Sequence, residues 1–265
     1  MAVEKIWKLR EGTDEANVKR LSSELGVDPV LAELLVQRGV TTFQQARSFF
    51  RPDLADLHDP FLMKGMEEAV SRVHDAVISR EKILVYGDYD VDGVSATAVL
   101  FLYLEELNPD MELGYYIPDR FAEGYGMSSS AIEMLAQRGV ELIVTVDTGI
   151  TAIAEVEYAK TLGIDVVVTD HHECRETLPD AVAVVDPHRP DGGYPHMNLS
   201  GVGVAFKLVC ALEREKSIEE LLDLYADVVA VGTVADVMPL VGENRIIVSR
   251  GLENLSNTRN LGLRA

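Results

Sequence analysis

Three aspartates at alternate positions follow directly after a short apolar run. Asp88, Asp90 and Asp92 come behind the run at 83–87, and Gly93 follows them. Carboxylates at this spacing repel one another, and keeping all three ionised at the edge of a core is costly unless cations compensate. The pattern therefore indicates a divalent-metal site at the point where a buried strand turns into a helix.

Two later apolar runs are also followed by side chains that could bind a metal. Asp147 comes after one run, and Asp170, His171 and His172 come after the next. Mixed oxygen and nitrogen ligands favour manganese, and magnesium to a lesser degree, over metals that prefer thiolates. Zinc stays an alternative because Cys174 is close to the His pair, although no second cysteine is near it.

The aspartate motif has three other interpretations, and the sequence argues against two of them. A calcium-binding EF-hand loop would need Glu at its twelfth position, but that position, counted from Asp88, is Val99. A haloacid-dehalogenase-like phosphatase would use Asp90 as a nucleophile, with a later Lys and an acidic pair on one magnesium. This chain offers Asp147 and a His pair instead. The remaining alternative is a polar turn with solvated carboxylates.

Other polar residues are candidates for the same site. Asp236 is a single acid in an apolar segment, and a buried Asp needs a partner, either a metal or an arginine such as Arg245. Arg120 and Tyr125 lie in a Gly-rich loop after a β-run, where they could contact a substrate. His188 follows the last β-run and is a further candidate.

A small-residue segment leads directly into a predicted helix. Ser200, Gly201 and Gly203 are its candidate substrate-binding residues, because free N–H groups at a helix start can bind an anion. Close packing of the glycines is the alternative explanation.

The elements that position these residues follow an α/β pattern. The β-runs span 83–87, 112–117, 141–146, 164–169 and 181–186, and the helical patterns span 94–107, 128–138, 151–162 and 202–214. Nearly continuous apolar strands suit a sheet buried on both faces, which predicts an α/β fold with a mostly parallel, five-stranded sheet flanked by helices. Ligands in such folds bind beyond the carboxyl ends of the strands, where the Asp and His motifs lie.

Helical patterns flank the α/β region on both sides. We expect a helical N-terminal lead-in over 1–80, with a hinge near 51–53, and the catalytic α/β domain over 81–240. Residues 241–265 are expected to form a helix and the start of a linker to a second domain that this chain lacks.

Composition indicates an ordinary globular protein. With 265 residues and 47% hydrophobic content, the chain can bury a sizeable core. No apolar run is long enough to span a membrane and no signal peptide is recognisable, so we expect a cytoplasmic protein without membrane association. Cys174 and Cys210 form no CxxC motif and are expected to be reduced thiols.

The charge balance is strongly acidic. The 24 Lys and Arg residues stand against 44 Asp and Glu residues, for a formal charge of −20. This balance argues against broad, non-specific attraction to phosphate backbones. If the substrate is a polynucleotide, local basic residues or further parts of the protein must guide it.

In this order, the motifs resemble the DHH phosphoesterase superfamily. The loop at 117–126 and the segments 186–190, 200–207, 232–240 and 242–245 look specifically like the RecJ family of single-strand DNA exonucleases. The resemblance runs from the lead-in to the last residues. It implies metal-dependent hydrolysis of phosphodiesters with two Mn²⁺ or Mg²⁺ ions, degrading single-stranded DNA in the 5′ to 3′ direction during DNA repair and recombination.

The resemblance also implies roles for individual residues. The implied metal ligands are Asp90, Asp92, Asp147, His171 and Asp236, with Asp147 as the bridge. The residues implied to act beside the metals are Asp88 as a supporting carboxylate, His172 and Arg120 on the scissile phosphate, and His188 orienting that phosphate. Wider relatives often have His where this chain has Tyr86, which implies one ligand fewer here.

Two further expectations concern partners and competing functions. RecJ-like proteins continue into a domain that grips nucleic acid, so we expect this chain to keep the metal site with weak or no processive nuclease activity. Partners such as a single-strand-binding protein or a helicase would bind through parts not present here. The alternatives are a DHH phosphodiesterase that acts on short oligonucleotides, cyclic dinucleotides or pyrophosphate, and an inactive DHH scaffold of replication complexes.

Overall fold

The structure is a computed structural model that describes Lys8 and residues 12–265. The chain forms two compact units that divide between Asp53 and Leu54. Residues 1–7 and 9–11 of the predicted lead-in lie outside the described residues.

The first unit is helical. Its helices are α1 (Glu15–Leu25), α2 (Pro29–Val36) and α3 (Phe43–Phe50). Asp28 caps α2 by accepting the N–H of Val30, and Pro29 takes the first helical position. The three helices bury a small apolar core of their own around Leu21 and Leu35.

The second unit is built on a parallel sheet. Its strands are β1 (Ile83–Tyr86), β2 (Leu113–Tyr116), β3 (Leu142–Val146), β4 (Asp165–Thr169) and β5 (Ala183–Val185). Their order across the sheet is β2-β1-β3-β4-β5, and every pairing is parallel. The predicted five-stranded parallel sheet is therefore confirmed, and the carboxyl ends of all its strands lie at one edge.

Helices cover both faces of this sheet. The helices of the second unit are α4 (Met66–Ser79), α5 (Val91–Leu107), α6 (Ser129–Gln137), α7 (Ile153–Thr161), α8 (Gly201–Leu212), α9 (Ile218–Ala235), α10 (Gly242–Leu255) and the short α11 (Leu261–Arg264). Successive strand side chains alternate between two apolar cores, so that Val85 packs with α4, α5 and α8 while Leu84 packs with α6 and α7.

Helix α4 belongs to the second unit. Met66, Ala69 and Val73 are fully buried in the core that covers one face of the sheet. The division between the compact units therefore comes before α4, whereas the predicted domain boundary at residue 80 comes after it. The division into functional domains at residues 80 and 240 stays a prediction.

Within the residues that the structure describes, none of the helices has the combined length and apolar character that crossing a lipid bilayer demands.

Candidate metal centre

The acidic motifs meet where the parallel strands end. Asp88 follows β1, Asp147 follows β3 and Asp170 follows β4, and each of these side chains is almost fully buried. Tyr86 at the end of β1 lies beside Thr145 of β3 in the sheet register, which brings the first two acids to the same place. The topology therefore gathers residues that are far apart in sequence.

Two further ligand candidates come from helices. Asp92 lies in the first turn of α5 and is 2% exposed, whereas Asp236 directly follows α9 and its side chain is 30% exposed. Beyond Asp236, Val237 adopts a left-handed backbone conformation with φ of 58°, and the N–H of Met238 donates to Thr233 O. This turn ends α9 and directs the Asp236 carboxylate toward the strand ends.

These side chains form overlapping groups that could each hold a metal ion. The groups are Asp88, Asp90 and Asp147; Asp92, His171 and Asp236; and Asp147, His171 and His172, and within each group the ligand atoms lie within 4.8 Å of one another. His171 Nε2 is 3.1 Å from Asp147 Oδ1, 3.7 Å from Asp236 Oδ2 and 3.8 Å from Asp92 Oδ2. Asp147 links the three-carboxylate group to His171, which is the position a bridging ligand requires.

Asp147 has an uncommon backbone conformation. Its φ is 59°, a left-handed value that Asp tolerates better than most residues, and it comes directly after the last residue of β3. Strained backbone of this kind is often found at functional sites. Here the carboxylate lies beside Asp88 and Asp90 and 3.1 Å from His171 Nε2.

The carboxylates resist ionisation when no cation is near. Burial, with added repulsion from Asp92 and Asp90, raises the pKa of Asp147 to about 10. Burial also raises the pKa of Asp92 to about 6, although the N–H of Val202 opposes this effect. The pKa of Asp88 is likewise raised by burial. A bound divalent cation would reverse these shifts, because it stabilises the charged carboxylates directly.

Unsatisfied buried atoms show that the residues fit a metal. Asp88 Oδ1, Asp147 Oδ1 and His171 Nδ1 have no hydrogen-bond partner among the described residues. Buried polar atoms usually have a partner, and the donor set of carboxylate oxygens and one imidazole suits manganese or magnesium. Cys174 belongs to none of the ligand groups, and burial raises the pKa of its thiol to about 12. The geometry thus gives no support to the zinc alternative.

His172 is a cation beside this centre. Its Nδ1 lies 2.7 Å from Asp170 Oδ1, and this hydrogen bond raises the pKa of His172 to about 9. Burial alone would raise the pKa of Asp170, but the bond from His172 and backbone N–H groups, including that of Ile150, lower it. A charged imidazolium, with 45% of its side chain exposed, therefore faces solvent at neutral pH. From the sequence, Asp170 was only one of the side chains after β4 that could bind a metal, and its hydrogen bond to His172 was not predicted.

We expect Asp170→Asn to return the pKa of His172 from about 9 toward the ordinary histidine value of about 6.5. The physical reason is that the amide keeps the hydrogen-bonding shape but removes the negative charge that stabilises the imidazolium. An NMR pH titration of the His172 ring protons measures this shift, with His74 on α4 as the internal reference. An unchanged His172 titration would contradict the assignment.

The predicted substrate loop reaches the same surface. Tyr125 Oη is 3.4 Å from both ring nitrogens of His172. Arg120 is exposed, and its guanidinium carbon lies 5.3 Å from the ring centroid of Tyr89. The structure therefore places Tyr125 against His172, with Arg120 next to the aspartate motif.

His188 lies farther along the sheet edge, after β5. Its N–H donates to Asp186 Oδ1, and its Nδ1 is 3.6 Å from the same oxygen. Asp186 is buried, and burial raises its pKa to about 8. In the described part of the chain, no hydrogen bond or ion pair joins His188 to the metal-ligand groups, so its predicted role in orienting a phosphate stays a prediction.

At the start of α8, the N–H groups that were expected to bind an anion already have partners within the protein. The N–H groups of Gly201 and Val202 donate to the Asp92 carboxylate at 2.6 and 3.0 Å, and the N–H of Gly203 donates to Ser200 Oγ at 3.2 Å. Ser200 and both glycines are buried, so these donors are not available to a substrate. The helix start binds a carboxylate of the protein in the way it was expected to bind a phosphate.

Two glycines, Gly201 and Gly232, make room for the ligands. Close packing was the alternative explanation for Gly201, whereas the sequence assigned no role of its own to Gly232. A Cβ on Gly201 would lie 2.5 Å from Asp147 Cγ and closer still to its Oδ1. A Cβ on Gly232 would lie 2.8 Å from Asp92 Oδ1. Both positions must lack a side chain for α8 and α9 to approach the acids this closely.

Tyr86 does not join the ligand groups in the described part of the chain. Its hydroxyl donates to Gly126 O at 3.2 Å, and its buried ring packs against Tyr116. Tyr86 therefore anchors the end of the loop that carries Tyr125, where wider relatives were expected to have a histidine ligand.

Comparison with known proteins agrees with this geometry. The model of the DHH family, N-terminal domain, matches residues 82–233. The single-stranded-DNA-specific exonuclease RecJ of Bacillus subtilis (strain 168) is 47% identical over 258 residues, which cover 97% of this chain and 32% of that protein. The protein of the same name from Escherichia coli (strain K12) is 39% identical over 238 residues, which cover 86% of this chain and 40% of that protein.

Solved structures give the same relationship. The crystal structure of RecJ in complex with Mn²⁺ from Thermus thermophilus has a TM-score of 0.73 and 34% identity, over 94% of this chain and 35% of that chain. A crystal structure of exonuclease RecJ bound to manganese has a TM-score of 0.69 and 37% identity, over 80% of this chain and 52% of that chain.

The chain therefore spans about a third to two fifths of the length of the curated relatives described above. The family match covers the five strands, α5 to α8, most of α9 and all the proposed metal ligands except Asp236. Because that match extends over more than half of its residues, the chain belongs to the DHH family.

Proposed function

We propose that this chain carries the metal site of a phosphodiester hydrolase that acts as a single-stranded-DNA exonuclease, in the 5′ to 3′ direction, in DNA repair and recombination. The observation that carries the proposal is the pair of ligand groups at the strand ends, one with Asp88, Asp90 and Asp147 and one with Asp92, His171 and Asp236. The relatives named for this activity, with two structures that contain manganese, support the same function.

Each of the two proposed ligand groups would bind one metal ion. Bound divalent cations would activate the attacking water and neutralise charge on the phosphoryl oxygens. Asp147 belongs to the first group and lies 3.1 Å from His171 of the second, and Asp92 is fixed by two backbone N–H groups of α8. Asp88, assigned a supporting role, is close enough to Asp90 and Asp147 to be a direct ligand as well.

The cations of the chain itself would bind the substrate phosphate. His172 keeps its proton through Asp170 and faces solvent beside Asp147 and His171. Arg120 supplies a second positive charge from the loop after β2. Both groups would bind the non-bridging oxygens and orient the phosphate without taking part in proton transfer.

Activity on long strands is expected to be weak. The formal charge of −20 opposes the approach of a polyanion, and the electrostatic attraction that non-specific DNA binding needs is therefore missing. We propose that further parts of a longer protein supply that attraction, together with any contact to a single-strand-binding protein or helicase, in the cytoplasm. Robust, processive degradation of long single strands by these 265 residues would contradict this expectation.

The test is manganese-dependent release of product from 5′-labelled and 3′-labelled short single strands, a duplex and a cyclic dinucleotide. Asp236→Asn is the better inactivating variant, because its side chain is partly exposed, whereas Asp92 also caps α8 and its loss would disturb the fold. We expect release from the 5′ end of single strands, and at least about a hundredfold loss in Asp236→Asn.

Each other result has a definite meaning. Preference for the cyclic dinucleotide would favour the alternative phosphodiesterase, and full activity in Asp236→Asn would exclude Asp236 as a ligand. No hydrolysis of any substrate by a chain that binds manganese would favour the inactive scaffold. The presence of every proposed ligand in one cluster argues against that last outcome.

A further inference from the structure

An exposed arginine, Arg120, lies beside the proposed metal centre. Among the described residues, Arg120 forms no ion pair, although the chain is strongly acidic. The contact that holds its guanidinium is the ring of Tyr89, with 5.3 Å from Arg120 Cζ to the ring centroid. A cation over the face of an aromatic ring is attracted electrostatically at this distance.

Tyr89 also contacts the other end of the same loop. Its ring centroid is 6.4 Å from that of Tyr125, at an interplanar angle of 85°, which is an edge-to-face arrangement. Tyr125 packs in turn against His172, with the ring centroids 5.9 Å apart. One ring therefore connects Arg120 and Tyr125 to the motif that supplies Asp88 and Asp90.

The position of Tyr89 in the sequence gives this contact its importance. Its neighbours on both sides, Asp88 and Asp90, belong to a metal-ligand group, and Asp90 is exposed. Without the ring, the Arg120 guanidinium would be free to move and to pair with an exposed carboxylate such as Asp90. The ring holds the cation in place without neutralising it, so that its charge stays available to a substrate.

We infer that Tyr89 is a positioning residue for phosphate binding, acting through Arg120. This inference rests on the proposed function and adds a residue to it that needs no contact with metal or substrate. It explains why an aromatic residue lies between two acidic ligands. It also predicts that the ring of Tyr89 matters and that its hydroxyl does not.

The test compares Tyr89→Leu with the matched control Tyr89→Phe in the full chain, on a short single-stranded oligonucleotide with manganese. We expect Tyr89→Leu to lower kcat/KM about fivefold, mainly through KM, as expected for the loss of one exposed cation–π contact. Tyr89→Phe should stay within about twofold of the original chain. Manganese affinity, measured by calorimetry, should be unchanged in both variants.

A double-mutant cycle with Arg120→Ala separates positioning from a general structural effect. In the Arg120→Ala background, Tyr89→Leu should change kcat/KM by less than about twofold, because the residue on which it acts is gone. The same loss in both backgrounds, or an equal loss in Tyr89→Phe, would overturn the inference. If the original chain hydrolyses nothing, the proposed function fails. The affinity of each variant for the same oligonucleotide, measured by fluorescence anisotropy, then replaces kcat/KM in the cycle, so the inference about Tyr89 is tested separately.

NMR tests the contact without any substrate. The side-chain Cδ protons of Arg120 should show an upfield ring-current shift in the original chain and in Tyr89→Phe, and this shift should disappear in Tyr89→Leu. An Arg120 signal that is the same in all three proteins would also overturn the inference.

Discussion

Replacing Asp147 by Asn is expected to abolish metal-dependent hydrolysis, with a loss in kcat/KM of at least about a thousandfold. Asp147 belongs to the group with Asp88 and Asp90, and its Oδ1 lies 3.1 Å from His171 Nε2 of the other proposed group. An amide cannot supply the negative charge that two cations would share. The variant should therefore lose most of its manganese affinity as well. Calorimetric titration with Mn²⁺ and a cleavage assay on a short single strand measure the two effects.

The same variant is expected to fold well without metal. The pKa of Asp147 is about 10, so without a cation the folded chain keeps this carboxyl protonated at neutral pH, and Asn has nearly the same shape. The unfolded chain loses that proton near about pH 4. The metal-free stability that Asp147 contributes is therefore complete below about pH 4 and is lost as the pH rises toward about 10.

Thermal unfolding in EDTA across this pH range tests the argument. Between about pH 5 and 9, Asp147→Asn should lose less stability than the original chain as the pH rises. Asp186→Asn is the matched control, because Asp186 is also buried with a raised pKa but belongs to no ligand group in the described residues. In separate scans with Mn²⁺ in place of EDTA, the control should keep the rise in melting temperature that Mn²⁺ produces. Manganese-dependent activity within about tenfold of the original in Asp147→Asn would contradict the bridging role.

Gly201→Ala is expected to damage both stability and metal binding. The added Cβ would overlap Asp147, whose backbone is already in a strained conformation, and α8 cannot retreat because nearly all of its residues are buried. We expect a loss of about 2 to 3 kcal/mol in the free energy of unfolding. Displacing the Asp147 carboxylate should also weaken manganese binding by at least about tenfold.

Gly203→Ala in the same helix is the matched control. Its nearest neighbours would be Leu199 Cδ2 at 3.3 Å and Ser200 Oγ at 3.4 Å, which small movements of side chains can relieve. A gain in helix propensity of up to about 1 kcal/mol should offset that cost. Denaturant unfolding measures the free energy of unfolding of both variants, and titration with Mn²⁺ measures their manganese affinity. Equal behaviour of the two alanine variants would show that Gly201 does not shape the site.

The sheet could be predicted from sequence because its strands are short, nearly continuous apolar runs. Each of the five predicted runs became a parallel strand. In the described part of the chain, one crossover helix lies between each successive pair of strands from β1 to β4, whereas β4 and β5 are joined without a helix. The convergence of Asp88, Asp147 and His171 followed from one rule, that the carboxyl ends of parallel strands lie at one edge. Nothing beyond hydrophobic pattern and topology was needed for that part of the site.

The start of α8 could not be predicted because its partner comes from a distant part of the chain. Small residues before a helix look the same whether their N–H groups bind a phosphate or a carboxylate of the protein. Here the carboxylate is Asp92, which is 109 residues away in sequence from Gly201. Tyr89 was missed for a similar reason, since its partners Arg120 and Tyr125 come from the loop after β2. Local sequence shows which groups can bond, but the packing of the sheet and helices decides which of them meet.

The most direct test of the account is a crystal structure of the chain grown with Mn²⁺ and measured at the manganese absorption edge. We predict two anomalous peaks, one among Asp88, Asp90 and Asp147 and one among Asp92, His171 and Asp236, with Asp147 contacting both ions. The proposed metal centre would be contradicted by an anomalous map, from crystals grown with saturating Mn²⁺, that has no peak in these groups or has peaks only elsewhere on the acidic surface.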